Sequence, residues 1–566
     1  QNYVNQNLNI EKNIDNIENN INTNIDNNTN IDNKLHLLMI YGPNEESIDI
    51  NTNKFLDYDD NFLEYVYNQN YSDKLDEAKI YILEDKDDFE KQIFNPNKIL
   101  DLSYNYGKFS NIKPNICFVY CGQGPQHIDM GIRFMEYFPV FRDKILECDS
   151  IWKEISGYSF IEKYGLFKKN NKINYDTLNI NDPQIAQPSI TFFQIALTEL
   201  YKSFNIIPDS VIGHSAGEQA AFFSSGALSL KDTIKLSYYR SIYQQKTAGN
   251  GNMLVINDSI LEIDNYLKDN PNLDLAAVNS DNSFVLAGDS YIIDNLKEDL
   301  KSKNIISIKI RGSCAFHSRQ QEIIKDDIIK NTKGIKFLEP EIELISSVTG
   351  FIFDSNDYTN DYWWKNIRNT VRFKEGIEQC SNIDIFIEIA PHIVLKNNIK
   401  EIYPQCLVLN SDNRKEQGER RFYSTLSKLY FAGYKLNLEK FGVKNNKYYH
   451  KYCWNKELFY QEPIESFNRR NGIVNKVNCI KFNTYKELYI RDHKIGTNLI
   501  FPAVGYIDII YTYFNIENKY IKNLNIYKIL KIDNDYLIFN FLNINNKYDF
   551  YINNTKTFSF ELENMD

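Results

Sequence analysis

Gly213-His214-Ser215-Ala216-Gly217 follows the short apolar stretch Ser210-Val211-Ile212 and opens a helical pattern over Glu218–Phe223. In a strand-to-helix turn of this GxSxG type, the two glycines let the chain bend sharply and let neighbouring backbone pass close by, which lifts the serine hydroxyl clear of the sheet. Ser215 is therefore the expected nucleophile, and the N–H of Ala216 an expected donor to an oxyanion. A hydroxyl is a weak nucleophile until a base takes its proton, and imidazole is the usual base near neutral pH. The chain has 7 His, so few positions can supply one. His214 adjoins the serine and should point elsewhere. His317, in Ala315-Phe316-His317-Ser318, lies in a loop between elements and can return to the mouth of the same domain. Ser215 with His317 is the expected nucleophile–base pair.

The elements that must position this pair read as an α/β domain. Ile116-Cys117-Phe118-Val119-Tyr120 is a short apolar run stopped by Gly122-Gln123-Gly124-Pro125, a buried parallel strand ending in a glycine-rich turn. Helical patterns over 134–155 and 188–204 follow, then the strand at 210–212, and strand–helix–strand in this rhythm argues for a parallel sheet. Residues 253–310 read as strand, helix, hairpin, helix, strand, the βαββαβ order of a ferredoxin-like unit inserted as a lid. The larger domain resumes near Cys314 and closes after the strand at 385–389.

Outside that domain the text changes. Residues 1–34 are Asn-rich, with 14 Asn in the first 33 positions, and are expected to be disordered. Residues 35–115 read as a small α+β segment, 401–462 as a helix followed by an aromatic stretch, and 463–566 as the start of another domain. The sequence begins at Gln1 rather than Met, and both ends read as cuts from a longer protein. The 566 residues carry a net charge of −11, and a chain this acidic is a poor general partner for nucleic acid. No apolar run approaches the roughly 20 residues of a membrane span. The 8 Cys are scattered without CxxC pairs or Cys/His ligand spacing, so no metal site and reduced thiols in a cytoplasmic setting are expected.

Phe118-Val119-Tyr120-Cys121-Gly122-Gln123-Gly124-Pro125-Gln126 resembles the opening motif of malonyl-CoA:acyl carrier protein acyltransferases. Gly213–Glu218, Arg240-Ser241, Asn279, Ala315–Ser318, Tyr362–Phe373 and Glu388–His392 fall in that family's order and at similar spacing, across residues 116–400. The flanks resemble linkers of type I polyketide synthases, 35–115 the one between ketosynthase and acyltransferase and 401–462 the one after the acyltransferase. The resemblance implies an α/β-hydrolase-like parallel-sheet subdomain carrying the ferredoxin-like insert. It implies that Ser215 takes a malonyl-type acyl group from CoA and passes it to the phosphopantetheine thiol of an acyl carrier protein, with His317 as base and acid. Further implied roles are Gln123 and Ala216 N–H groups as the oxyanion hole, Asn366 as the residue whose backbone carbonyl orients His317, and Arg240 as the clamp on the malonyl carboxylate. An arginine fork suits that task because it is planar, always charged and binds carboxylate in two places. Gln187 and Asn279 are implied to line the pocket. Phe316 resembles the malonyl-selective type, while Cys314 stands where such members usually have His. No cofactor is expected in this segment itself, the phosphopantetheine belonging to a carrier domain outside it. Ketosynthase and other synthase domains are the expected partners.

Asp492–Pro502 resembles the HxxxGxxxxP motif of polyketide synthase dehydratases, with His493 as the expected catalytic residue of an incomplete α+β hot-dog domain over 463–566. Its glycine is displaced: Gly496 comes one position early and Thr497 fills its place. Two other readings share the serine elbow: a serine hydrolase or thioesterase, and a non-catalytic structural module of a synthase.

Overall fold

The strand Ile116–Tyr120 is buried along its whole length, as a strand covered on both faces must be. In the computed structural model it is the centre of a five-stranded parallel sheet. The order across the sheet is Glu343–Ile345, Ser210–Gly213, Ile116–Tyr120, Ile385–Ile389, Leu407–Asn410. The structure describes residues 35–58, 61–70, 76–94, 104–110, 112–354, 358–415, 418–437, 479–484, 488–514, 516–533 and 536–565. The Asn-rich 1–34 segment and the aromatic stretch after residue 437, including the expected boundary near residue 463, lie outside them. The register places Tyr120 opposite Gly213, so the serine turn begins where the central strand ends. His214 N–H donates to Tyr120 O at 2.7 Å and ties the two strand ends together.

The expected long helix over 134–155 is two helices, Ile132–Tyr137 and Pro139–Ser156. Pro139 forces Phe138 into an extended conformation (φ −119°, ψ 98°), and the residue before a proline avoids helical geometry for steric reasons. The sheet also runs past residue 400, where the sequence reading ends the domain, because Leu407–Asn410 pairs in parallel with Ile385–Glu388.

The insert has the expected order and topology. Gly251–Asn257, Asp274–Val278, Ser283–Asp289 and Ser307–Lys309 form an antiparallel sheet with the first and third strands central, and two helices, Ile260–Asp269 and Ser290–Ser302, connect them. That is the ferredoxin-like arrangement. One strand from the larger domain joins it: Val371–Arg372 pairs in parallel with Ala277–Val278. This pairing matters for the site because it lies two residues beyond Asn369.

Before the catalytic region, His36–Gly42, Glu77–Leu83 and Tyr104–Lys108 form an antiparallel sheet. Helix Gly418–Phe431 docks it onto the parallel-sheet domain: Tyr430 Oη and Tyr41 Oη are 3.1 Å apart, and Arg420 reaches Glu84 (3.2 Å) and Asp88 (2.6 Å).

The C-terminal unit is separate. Its described part is a five-stranded antiparallel sheet, with helix Ala503–Tyr513 burying Tyr506, Ile509 and Ile510 in the same core as Phe539, Phe550 and Phe558 of the strands. No helix among the described residues is long and apolar enough to cross a membrane.

Candidate active site

Ser215 sits at the strand–helix turn with φ +53°, a left-handed conformation that a side-chain-bearing residue adopts only under constraint. The constraint comes from the glycines on either side. A Cβ on Gly217 would strike the carbonyl oxygens of Tyr120 and Cys121, and one on Gly213 would strike the backbone of Glu218. The glycine loop after the central strand presses in from the other side, where a Cβ on Gly122 would lie 2.9 Å from His214 O and 3.3 Å from Ser215 Cβ. The backbone of Gly122–Gln123 is thus held beside the nucleophile.

His317 Nε2 lies 2.6 Å from Ser215 Oγ, and its Nδ1 lies 2.9 Å from the carbonyl oxygen of Asn369. A carbonyl can only accept, so Nδ1 carries the proton and Nε2 presents a lone pair to the serine hydroxyl. The orienting carbonyl is therefore three residues beyond Asn366, the position the family resemblance implied. The reason is local. Helix Tyr362–Arg368 ends at Asn369, whose extended backbone turns its carbonyl out of the helix. Thr370 Oγ then donates to Leu275 O at 2.7 Å, and the Val371–Ala277 pairing fixes the strand that follows. Asn366 is still inside the helix, and its side chain serves a different partner.

That partner is Arg240. The guanidinium is 1% exposed, Nη1 donates to Asn366 Oδ1, and Nη2 lies 3.3 Å from Ser215 Oγ. Burial lowers its pKa to about 9, with the attraction of Glu218 opposing, so it stays charged at neutral pH. Burial, then the charge of Arg240, pushes His317 down to about 3, which leaves the imidazole neutral. Glu218 is fully buried, and burial raises its carboxyl to about 7.

A cleft opens between the parallel-sheet domain and the insert. Ser215, His317, Gln123, Phe316 and Cys314 line it, with Met253 and Val285 from the insert. Gln187 and Asn279, expected to line the pocket, stand behind it. Gln187 Nε2 donates to Gln244 Oε1 at 2.7 Å and lies 3.4 Å from Gln123 Oε1. Gln123 Nε2 donates to Asn181 O at 2.7 Å, so the Gln123 side chain is anchored and its backbone is fixed in place. Asn279 Oδ1 accepts from His214 Nε2 at 2.8 Å, which fastens the serine turn to the insert.

Sequence reasoning missed Glu218, Asn369, Gln244 and Gln321. The last two continue the Gln187 chain, with Gln244 Nε2 donating to Gln321 Oε1 at 3.1 Å. Glu218 had a readable signal, because a carboxylate opening a helix behind a fully buried strand must itself be buried. Asn369 had none, because it acts through a carbonyl that any residue carries.

The family described as "Acyl transferase domain" matches residues 117–432. The chain belongs to the acyl transferase domain family. Among curated relatives, "Probable polyketide synthase 22" of Dictyostelium discoideum is 33% identical over 504 residues, covering 80% of this chain and 20% of that protein. The chain thus spans about a fifth of that relative's length. Among solved structures, the acyltransferase domain from module 8 of the salinomycin polyketide synthase shares the fold with TM-score 0.63 and 22% identity, covering 72% of this chain and 98% of that one. A loading acyltransferase from the avermectin modular polyketide synthase is 27% identical with TM-score 0.52, covering 56% and 99%. The acyl transferase domain is thus of the kind found in type I polyketide synthases, and its match extends past residue 400 as the parallel sheet does.

His493 lies in the separate C-terminal unit and is exposed. Its Nδ1 donates to Ile500 O at 3.0 Å, across a hairpin in which Lys494-Ile495 pairs with Asn498-Leu499. Gly496, at φ +62°, is the first central residue of that two-residue turn. A tight hairpin of this kind needs positive φ there, which glycine adopts without steric cost.

Proposed function

We propose that the acyl transferase domain moves a malonyl-type acyl group from CoA to the phosphopantetheine thiol of an acyl carrier protein, through an ester on Ser215. The observation that carries this reading is the buried, charged Arg240, 3.3 Å from the nucleophile's oxygen. A buried cation beside a nucleophile is costly unless an anion meets it, and a malonyl group brings its own carboxylate.

Neutral His317 accepts the Ser215 proton at Nε2 as Oγ attacks the thioester carbonyl. The N–H groups of Gln123 and Ala216 receive the developing oxyanion. Collapse of the tetrahedral intermediate breaks the C–S bond, and His317 returns its proton to the departing CoA thiolate. In the second half, the carrier thiol gives its proton to His317 as its sulfur attacks the ester carbonyl, and collapse breaks the C–O bond while His317 returns that proton to the departing Ser215 Oγ. Because the charge of Arg240 lowers His317 in the empty site, a malonyl carboxylate on the guanidinium offsets that effect and makes the imidazole a stronger base once substrate is bound. Phe316 and Cys314 face the acyl group in the cleft.

The test is the fate of the acyl group. With malonyl-CoA and a phosphopantetheinylated carrier protein, malonyl-carrier should form faster than free malonate. Free malonate as the main product, with or without carrier, would identify a hydrolase instead.

For the C-terminal unit we propose a hot-dog fold of the dehydratase kind, with His493 as the base. The helix packed on an antiparallel sheet and the exposed imidazole at the hairpin support this reading. Replacing His493 with Ala in a full synthase chain should stop dehydration of a β-hydroxyacyl thioester, and unchanged dehydration would refute the assignment.

A further inference from the structure

Glu218 is 0% exposed, follows the nucleophile turn directly and takes no part in the steps above. Its two oxygens meet different donors. Oε1 accepts from Ser347 N at 2.8 Å and from Tyr362 Oη at 3.1 Å, while Oε2 accepts from Asn366 Nδ2. In its ionised form Glu218 accepts only, so the amide of Asn366 then turns its NH₂ side to it. Its Oδ1 is then left facing Arg240, where it accepts from Nη1. With the amide reversed, NH₂ would confront the guanidinium, donor against donor. The arginine has little else to hold it: its side-chain partners among the described residues are Asn366 Oδ1 and Ser215 Oγ, and its Nε has none.

We propose that Glu218 is a positioning residue for the carboxylate clamp: it fixes the Asn366 amide, which holds the Arg240 guanidinium beside Ser215 and so sets the preference for acyl groups that carry a carboxylate. This rests on the malonyl-type reading above. Glu218 touches no reacting atom and acts through Asn366 and Arg240.

The test uses the whole chain and compares three proteins: wild type, E218Q and the double variant E218Q/N366D. An amide at 218 has one accepting end and one donating end. With its oxygen kept toward Ser347 and Tyr362, its NH₂ faces Asn366 and forces that amide over. The ratio of malonyl to acetyl loading, read as kcat/KM from the mass of the acyl-enzyme, should fall by about tenfold or more in E218Q, mostly through KM for malonyl-CoA. A crystal structure of E218Q should show Arg240 withdrawn from Ser215. The double variant restores the donor–acceptor order between 218, 366 and Arg240, since the amide at 218 can donate to the carboxylate at 366, which accepts from Arg240; it gives up the 3.3 Å bond from Asn366 Nδ2 to Ser215 O, a loss that malonyl and acetyl loading share. It should recover the ratio to within about threefold of wild type.

Malonyl and acetyl loading that fall together, or an unchanged ratio, would overturn the proposal, as would a double variant no better than E218Q. Should E218Q fail to fold, a folded double variant with a ratio near wild type supports the proposal and one with a collapsed ratio overturns it. A wild-type chain with no preference for malonyl would instead defeat the malonyl reading. The positioning role is then decided by the crystal structure, where an unmoved Arg240 in E218Q overturns it.

Discussion

Replacing Arg240 with Met removes the guanidinium assigned to the malonyl carboxylate and leaves a shorter, unbranched apolar side chain in its place. In the wild-type chain the guanidinium is buried, with Nη2 at 3.3 Å from Ser215 Oγ. A carboxylate seated there would accept two charge-assisted hydrogen bonds, each contributing roughly 1.5–3 kcal/mol. Part of that stabilisation is offset by stripping water from the acyl carboxylate, so a net loss of about 3 kcal/mol is expected. At about 1.4 kcal/mol per factor of ten, malonyl loading should fall by roughly 10²-fold. Acetyl loading loses no such contact and should change by less than about threefold. The imidazole reports the same event, because without the nearby charge His317 is no longer held down by it, and its pKa should rise. The variant also leaves Asn366 Oδ1 buried without its donor, costing about 1–3 kcal/mol of stability. Assays should therefore run well below the melting temperature. Stopped-time loading with malonyl-CoA and acetyl-CoA, read as acyl-enzyme mass, measures the ratio. Equal losses for the two acyl groups would refute the clamp and leave Arg240 a structural residue.

Gly217→Ala places a methyl against the carbonyls of Tyr120 and Cys121. It should cost at least about 1–3 kcal/mol of stability by thermal denaturation and abolish loading of Ser215, and a fully active variant would show that the elbow is looser than described. Burial and Arg240 push His317 down to about 3, so kcat/KM for acetyl loading, which does not use the clamp that Glu218 holds, should stay level as pH falls from 8 to below 6; an acid limb centred at the ordinary histidine value of about 6.5 would contradict a buried imidazole. The sign for stability follows from the same shift. A histidine with a lowered folded pKa contributes fully above its unfolded value of about 6.5, and that contribution is lost as pH falls toward 3, so His317→Gln should flatten the acid side of the stability profile. Phe316→Ser widens the cleft by removing an aromatic ring from its lining. The preference for methylmalonyl over malonyl should rise by about 1 kcal/mol in competition loading, and an unchanged ratio would take selectivity away from this position.

Much of the site was readable because its parts have strong local causes. The Ser215 turn needs glycine on both sides and a strand before it, and all are written in consecutive residues. The βαββαβ insert was readable because its strands and helices alternate with clean periodicity. The break at Pro139 shows the limit of periodicity, since apolar spacing runs through a proline that the backbone cannot. The strand Leu407–Asn410 was passed over because an edge strand is short and only partly buried. The orienting carbonyl was assigned three residues early for a different reason. Side-chain identity marks Asn366 as distinctive, but the atom that meets His317 belongs to the backbone at the helix end. The glutamine chain from half-buried Gln123 to buried Gln321 joins residues far apart in sequence, and no local pattern announces it.

The central claim is that Ser215 carries the acyl group. Incubating the intact chain with malonyl-CoA and measuring its mass after denaturation tests this directly, with the Ser215→Ala chain alongside. The wild-type chain should gain one malonyl group, on the peptide containing Ser215, and the variant none. Undiminished labelling of the Ser215→Ala chain would contradict the assignment.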